Sequence, residues 1–161
     1  MDNELDIALT VNGSPVAARV PARLSLVDFL RERLELTGSH VGCEHGVCGA
    51  CTVRLDGEIV RGCLTLTAQA DGGTVETVEG VSETGEIADL QEAFHQRNAL
   101  QCGFCTPGML LTSAALLDRT PQPSREEIRD WLSGNYCRCT GYHAIVDAVA
   151  SVAAARAGGK G

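Results

Sequence analysis

The chain is organised around a loop that reads Gly42-Cys43-Glu44-His45-Gly46-Val47-Cys48-Gly49-Ala50-Cys51. This loop contains three cysteines in the order Cys-x4-Cys-x2-Cys, with a glycine beside or between each of them. A fourth cysteine, Cys63, follows Cys51 by 12 positions. Because glycine adopts backbone conformations closed to other residues, such a loop can turn its N–H groups inward, toward the sulfurs.

The order of these four cysteines is that of plant-type ferredoxins, in which four thiolates hold two irons as a [2Fe-2S] cluster. A Cys-x4-Cys-x2-Cys triplet with a distant fourth thiol is uncommon among zinc sites. His45 lies inside the loop, and a histidine replaces cysteine as an iron ligand in Rieske centres. Since four cysteines are already present, we interpret His45 as a loop residue. The sequence therefore predicts a redox cofactor near residue 50.

The residues before this loop predict a hairpin and a helix. Apolar and polar residues alternate over residues 4–20, and Asn12-Gly13 divides this stretch into two strands. Ser25 and the acidic residue three positions later resemble a capping box. The apolar residues that follow lie on one helical face up to Gly38.

The residues after the loop predict further strands. A second hairpin is indicated around Asp56-Gly57, and a short strand is indicated over residues 74–78. Several short strands with one helix packed across them are typical of an α+β domain. We therefore predict a first domain over residues 1–78 and a linker over residues 79–85.

Beyond the linker, apolar residues recur at about 3.6 positions, the period of an α-helix. Helices are predicted over residues 87–94, 106–117, 124–132 and 142–156. Thr106 is the predicted N-cap of the second of these helices, and the Gly-Gly-Lys-Gly end of the chain is predicted to be disordered. Residues 86–161 are therefore predicted to form a four-helix bundle domain.

The helical half carries four more cysteines, arranged as Cys102-x2-Cys105 and Cys137-x-Cys139. Each pair falls at the end of a predicted helix, so antiparallel helices could bring all four thiolates to one metal centre. Helix N-termini nearby favour a centre with net negative charge. Taken alone, this set would also suit structural zinc, although zinc ribbons usually repeat the Cys-x2-Cys spacing in both pairs.

The composition narrows the class of protein. Eight cysteines among 161 residues leave three explanations, which are a disulfide framework, structural zinc and iron–sulfur clusters. The acidic segment from Met1 to Asp6 does not resemble a secretory signal, which disfavours disulfides. A net charge of -8 at pH 7 argues against nucleic acid as a partner. Because no long apolar run is present, we expect a cytoplasmic protein without direct membrane contact.

Three motifs in a fixed order indicate a family. After the first loop come Gln101-Cys102-Gly103-Phe104-Cys105-Thr106-Pro107-Gly108 and Asn135-Tyr136-Cys137-Arg138-Cys139-Thr140-Gly141-Tyr142. From about Leu5 to about Val152, the chain resembles the small iron–sulfur subunit of the molybdenum hydroxylases. That family includes xanthine dehydrogenase, aldehyde oxidoreductase, aerobic carbon monoxide dehydrogenase and 4-hydroxybenzoyl-CoA reductase.

The resemblance implies a fold and a set of ligands. The first half would be a plant-type, ferredoxin-like β-grasp domain whose cluster faces a flavin. The ligands of that cluster would be Cys43, Cys48, Cys51 and Cys63. The helical domain would hold the second cluster on Cys102, Cys105, Cys137 and Cys139. Gln101 would contact the pterin of a molybdenum cofactor, and Cys139 would couple the second cluster to that pterin.

The resemblance also implies partners and a direction of electron flow. Electrons would pass from molybdenum through the helical domain's cluster, then the N-terminal cluster, to FAD. The molybdopterin-type cofactor and FAD would lie on a large and a medium partner subunit, in a dimer of heterotrimers. The chain would carry no catalytic residue, and a pocket on another subunit would select the substrate. The alternatives are a stand-alone two-cluster ferredoxin and a zinc-stabilised interaction module.

Overall fold

The computed structural model describes residues 3–159, which form a mixed sheet followed by a group of helices. The first two strands, β1 (Glu4–Val11) and β2 (Ser14–Pro21), pair antiparallel along their full length. Asn12 and Gly13 join them with φ angles of 49° and 79°, the left-handed geometry that a two-residue hairpin turn requires. This confirms the hairpin predicted from the alternating pattern.

Three further strands complete a five-stranded sheet. They are β3 (Thr52–Leu55), β4 (Glu58–Arg61) and β5 (Thr74–Glu76). The strand order is β2-β1-β5-β3-β4, in which β1 and β5 run parallel and the other neighbours run antiparallel. The predicted hairpin around Asp56-Gly57 is confirmed by the pairing of β3 with β4.

One helical segment packs across this sheet. Helix α1 (Leu26–Asp28) continues directly into a π-helical turn over Phe29–Arg33. The Ser25 side chain accepts a hydrogen bond from the backbone N–H three residues later, as the capping pattern predicts. The prediction that this helix extends to Gly38 is wrong. Glu35 adopts a φ angle of 57°, which cannot continue a right-handed helix.

The first hydrophobic core lies between this helical segment and the sheet. Its buried members are Ile7, Leu9, Val11, Val20, Leu26, Phe29, Leu30, Val53, Ala70 and Val75. The strand residues among them alternate along β1, so one face of the sheet is apolar and faces the helix. Leu5 belongs to the same pattern but remains 41% exposed near the start of β1.

Within the described residues, the second half contains five helices. They are α2 (Val78–Glu83), α3 (Ala88–Gln96), α4 (Thr106–Arg119), α5 (Arg125–Leu132) and α6 (His143–Gly158). Helices α3 to α6 match the four predicted helices, and α2 occupies most of the segment predicted as a linker. The S-x-x-E capping box of α5 is confirmed, because Ser124 and Glu127 exchange side-chain and backbone hydrogen bonds.

A second hydrophobic core joins these helices, with α3 against α6, α4 against α5, and α5 against α6. Phe94, Leu111, Ile128 and Ile145 are among its fully buried members. No helix within residues 3–159 is both long enough and apolar enough to cross a membrane. Of the Gly-Gly-Lys-Gly end, Gly158 is the last residue of α6, and the final two residues lie outside the described range.

The start of α4 differs from the prediction. Thr106 is the first helical residue and not the N-cap, a position that Cys105 occupies. Pro107 lies in the first turn, where a backbone N–H would have no intrahelical partner, so the missing N–H of proline costs no hydrogen bond. Among the described residues, the buried Thr106 hydroxyl has no hydrogen-bond partner. Cys105, a member of the second set of cysteines, is therefore the N-cap residue of α4.

Candidate metal centres

The first candidate centre lies in the loop between α1 and β3, with Cys63 added from the turn after β4. Three loop residues, Glu44, Gly46 and Gly49, have left-handed φ angles of 58°, 80° and 75°. A Cβ atom at Gly46 would lie 2.3 Å from the Leu64 side chain. The loop therefore curls tightly, and at Gly46 it lies against the turn that carries Cys63.

The four thiols of this centre are arranged as two pairs. Cys43 and Cys48 are in hydrogen-bond contact, and the Cys48 N–H donates to Cys43 Sγ at 3.4 Å. Cys51 and Cys63 are likewise in contact, and the Cys63 N–H lies 3.5 Å from Cys51 Sγ. Two thiolates on each of two irons is the arrangement that a [2Fe-2S] cluster uses, so this donor set fits such a cluster.

The two pairs differ in their electrostatic surroundings. The Cys48 N–H lowers the pKa of the Cys43 thiol to about 6, and the His45 N–H acts in the same direction. Burial raises the pKa of the Cys51 thiol to about 11. Cys43 is therefore largely a thiolate at neutral pH, whereas Cys51 needs a bound metal to lose its proton.

The second candidate centre combines the turn before α4 with the turn before α6. Cys139 Sγ lies 3.5 Å from Cys102 Sγ, and Cys105 is in hydrogen-bond contact with Cys137. Each pair thus takes one thiol from each turn, and the structure brings together all four cysteines predicted for this site. Cys102 and Cys139 are exposed, while Cys105 and Cys137 are half-buried. The centre therefore has one edge toward solvent and one toward the protein.

The two thiols of the inward pair, Cys105 and Cys137, have pKa values that shift in opposite directions. Burial raises the pKa of the Cys105 thiol to about 12. Burial also opposes the charged form of Cys137, but hydrogen bonds from the side chain and backbone of Thr140, together with those from Cys139 and Cys105, lower the Cys137 pKa. Within residues 3–159, no group of three or more His, Cys, Asp or Glu side chains is arranged to hold a single metal ion. The thiols are instead paired, as in the first centre.

Gln101 lies at the exposed edge of the second centre. Its side-chain Nε2 donates to the backbone carbonyl of Cys139 at 3.0 Å. The nearby Phe104 ring is 47% exposed and stacks on His40 with a centroid distance of 4.6 Å. The His40 ring also contacts the Phe104 carbonyl at 2.7 Å. The Gln101 amide thus borders the edge that carries Cys102 and Cys139, whereas the Phe104 ring lies against His40 and the first cysteine loop at Gly42.

The two centres are joined by direct hydrogen bonds. The backbone N–H of Tyr136 donates to the carbonyl of Cys48 at 2.8 Å. The buried Asn135 side chain donates to the carbonyl of Gly49 at 3.2 Å. Arg61 donates to the carbonyl of Gly134 at 2.6 Å and also contacts Thr52. The first cysteine loop is therefore hydrogen-bonded directly to the segment that immediately precedes Cys137.

Close backbone packing accompanies these bonds. A Cβ atom at Gly108 would lie 2.3 Å from the carbonyl oxygen of Gly49. Only glycine allows α4 to approach the first loop this closely. Sequence reasoning missed the roles of Asn135 and Arg61 in this junction. Their only signal in the sequence is their position, two residues before Cys137 and Cys63 respectively.

A buried arginine also ties the two halves together. The Arg54 side chain on β3 is only 7% exposed and makes a two-pronged ion pair with Glu86, with distances of 2.5 and 3.0 Å. Glu76 and Asp118 lie 3.8 and 3.7 Å away. The hydrogen bond to Glu86 raises the pKa of Arg54. Because Asp118 lies on α4, this charge cluster spans the sheet and the helices.

Comparison with known proteins places this geometry in a family. A 2Fe-2S iron-sulfur cluster binding domain matches residues 9–74, and a [2Fe-2S] binding domain matches residues 77–150. The caffeine dehydrogenase subunit gamma of Pseudomonas sp. (strain CBB1) is 52% identical over 149 residues, which cover 91% of this chain and 89% of that protein. The chain belongs to the small iron–sulfur subunits of the molybdenum hydroxylases.

Two further similarities extend over almost all of this iron–sulfur subunit. The nicotine 6-hydroxylase small subunit of Paenarthrobacter nicotinovorans is 52% identical over 147 residues, covering 91% of this chain and 88% of that protein. The crystal structure of quinoline 2-oxidoreductase from Pseudomonas putida 86 matches with a TM-score of 0.90 and 49% identity. That match covers 99% of this chain and 98% of the other. The iron–sulfur subunit therefore consists of a ferredoxin domain followed by a helical domain, and each of them is a [2Fe-2S]-binding domain.

Proposed function

We propose that this iron–sulfur subunit transfers electrons between a molybdopterin centre and FAD through two [2Fe-2S] clusters. The observation that carries the proposal is the pairing of all eight thiols in two centres that a backbone hydrogen bond connects, from Tyr136 to Cys48. When bound, each cluster supplies a site that accepts and releases one electron. The chain itself holds the clusters, orients them and sets their surroundings.

The pairing of the thiols supports a proposed set of ligands for each iron. In the first domain, one iron would bind Cys43 and Cys48 and the other would bind Cys51 and Cys63. In the second domain, the exposed iron would bind Cys102 and Cys139 and the inward iron would bind Cys105 and Cys137. The domains themselves would comprise residues 1–78 and 86–161, joined by 79–85, with α3 to α6 as a four-helix bundle.

The position of each edge suggests the route of the electrons. We place the exposed edge with Gln101 and Cys139 against the pterin of the large subunit. The inward edge carries Cys137, whose neighbour Tyr136 bonds to the first cysteine loop. Entry and exit thus lie on opposite sides of the second centre, and the first centre leads on to FAD.

The flavin subunit would dock beside the first centre. Val47, Leu64 and Leu66 are 42%, 61% and 40% exposed, and Gly46 packs against Leu64. Apolar side chains that project together from a cofactor loop are typical of an interaction surface. This small patch fits a medium FAD-binding subunit that needs to approach the cluster closely.

The named relatives guide the proposal for the assembly. One is named a gamma subunit and one a small subunit, so we propose a large molybdenum-binding and a medium FAD-binding partner, as a dimer of heterotrimers in the cytoplasm. The names of the three relatives specify caffeine, nicotine and quinoline. Each of these compounds contains a nitrogen heterocycle, and we propose a substrate of that class for the complex.

Co-expression of this chain with its proposed large and medium partner subunits would test the function. The purified complex should contain about four irons and four acid-labile sulfides per iron–sulfur chain. Reduction by substrate should produce two electron paramagnetic resonance (EPR) signals from two [2Fe-2S] clusters. Zinc without acid-labile sulfide would overturn the proposal in favour of a zinc module. A red-brown monomer that binds neither partner would favour the stand-alone ferredoxin.

A further inference from the structure

Thr140 contacts one ligand of the second centre through its hydroxyl group. The Oγ1 atom of Thr140 lies 3.1 Å from Cys137 Sγ. The same oxygen accepts a hydrogen bond from the backbone N–H of Tyr142 at 3.2 Å. A hydroxyl has one proton to donate, and a metal-bound cysteine is a thiolate that can only accept. In the loaded protein, Thr140 is therefore the donor and Cys137 is the acceptor.

Tyr142 holds this turn in place from the other side. Its backbone is left-handed, with a φ angle of 68°, immediately before α6. The Tyr142 hydroxyl accepts the N–H of Cys137 at 2.9 Å and donates to the carbonyl of Asn135 at 3.3 Å. The N–H of Cys137 is therefore committed to Tyr142 and does not serve a sulfur. The Thr140 hydroxyl is therefore a side-chain donor to Cys137 Sγ, beside the backbone N–H groups of Thr140 and Cys139.

This contact has no counterpart at the other cysteines. Across residues 3–159, Thr140 is the only hydroxyl-bearing residue whose side chain contacts a cysteine sulfur. In the first centre, Cys43 Sγ and Cys51 Sγ receive backbone N–H groups. At the exposed edge of the second centre, Gln101 bonds to the carbonyl of Cys139, and the Cys139 sulfur contacts Cys102 Sγ.

We propose that Thr140 raises the reduction potential of the second cluster by donating a hydrogen bond to Cys137. This inference rests on the proposed assignment of Cys137 as a ligand. Hydrogen bonds to the sulfurs set the potential of an iron–sulfur cluster, and they favour the reduced form because it carries more negative charge. One electron enters the cluster from the molybdenum side and one leaves toward the first domain, while Thr140 keeps its proton throughout. Thr140 is thus a tuning residue at the inward edge.

A pair of variants in the complete complex tests this role. Thr140→Val removes the hydroxyl and keeps a branched side chain, whereas Thr140→Ser keeps the hydroxyl. Potentials would be measured by redox titration followed by EPR, with the first cluster in the same sample as the reference. For Thr140→Val we expect about a tenfold lower ratio of reduced to oxidised second cluster at a fixed potential, equivalent to about 59 mV for one electron. Thr140→Ser should retain the wild-type value.

Several results would overturn the proposal. These are an unchanged potential in Thr140→Val, a Thr140→Ser variant that shifts as much, and an equal shift of both clusters. Thr140→Ala is the second variant if Thr140→Val assembles poorly, and loss of the second cluster from both would show a structural role instead. Iron and sulfide contents would be measured first. Wild-type protein without two clusters would refute the ligand assignment, whereas intact clusters with unchanged potentials would refute only the role of Thr140.

Discussion

The two centres hold the same number of thiols in different surroundings. In the first, the sulfur of Cys43 receives a backbone N–H from the glycine-rich loop, and that of Cys51 receives one from the turn after β4. In the second, two turns between helices each supply two cysteines, and a threonine side chain contacts Cys137. A loop stabilises its centre through backbone N–H groups, so it needs glycines that let the backbone curl around the thiols. In the second centre, the Thr140 hydroxyl adds a side-chain donor to the backbone N–H groups that reach Cys137.

The comparison predicts that each centre can be lost separately. Each domain has its own hydrophobic core, so neither centre needs the other in order to form. Replacing the buried Cys51 with Ala should reduce the iron content from about four to about two per chain and remove only the first cluster's EPR signal. The reciprocal variant, Cys105→Ala, should remove only the second. Loss of all iron from either variant would show that the centres assemble together.

The two cores should be equally sensitive to loss of a large side chain. Phe29 and Phe94 are buried to 0% and 1% exposure in the first and second cores. Replacing either with Ala should lower the free energy of unfolding by about 3–5 kcal/mol, because it leaves a cavity in a packed core. Denaturant unfolding of the cluster-loaded protein measures this. Phe104→Ala is the control, since it removes an exposed ring and should cost less than about 1.5 kcal/mol.

If only one of the two substitutions destabilised the protein, the cores would not be equivalent. The domain with the tolerant core would then owe its stability to the cluster that it binds. Chelation of iron from the wild-type protein would separate these explanations, because it removes the clusters and leaves both phenylalanines in place.

The junction between the centres should contribute less than either core. Replacing the buried Asn135 with Ala removes the donor to the Gly49 carbonyl and the partner of Thr112. We expect the free energy of unfolding to fall by about 1–3 kcal/mol, because the buried Thr112 hydroxyl loses its acceptor and the Gly49 carbonyl keeps only its donors from Thr52. Tyr136→Ala is a matched control, since it deletes an exposed ring and keeps the backbone N–H that bonds to Cys48. An equal loss in both variants would contradict this interpretation.

The smallest expected effect concerns pH and only the helical domain. Arg156 on α6 donates to Asp89 on α3, and this hydrogen bond lowers the pKa of Asp89 below its usual value. A lowered pKa means that the pair stabilises the fold above the ordinary pKa of about 4 and loses this contribution as pH falls through the folded-state pKa. The Asp89→Asn variant should therefore lose less stability than wild type on acidification.

Thermal unfolding at several pH values below neutrality would measure this difference. Asp130→Asn is the control, because Asp130 is exposed and its side chain makes no ion pair within the described residues. Both groups of the Asp89–Arg156 pair are partly exposed, so the effect should be small and should weaken in high salt. An identical pH dependence in wild type and Asp89→Asn would contradict the assignment.

Local patterns in the sequence were sufficient for most of the secondary structure. The hairpin at Asn12-Gly13 and the capping box at Ser124 depend on neighbouring residues, and the structure confirms both. The end of α1 and the N-cap of α4 could not be predicted in the same way. Glu35 leaves the helix without any glycine or proline to signal it, and Cys105 takes the cap position because the turn before it approaches the second cysteine pair.

The sequence by itself determined that eight cysteines fall into two sets, because the spacing within each motif is a local property of the chain. Only the tertiary structure decided that Cys102 pairs with Cys139 and Cys105 with Cys137. It also decided which edge of the second centre is exposed and that the two cysteine loops share a hydrogen bond. These features depend on how helices distant in the sequence pack together, and spacing along the chain carries no record of that packing.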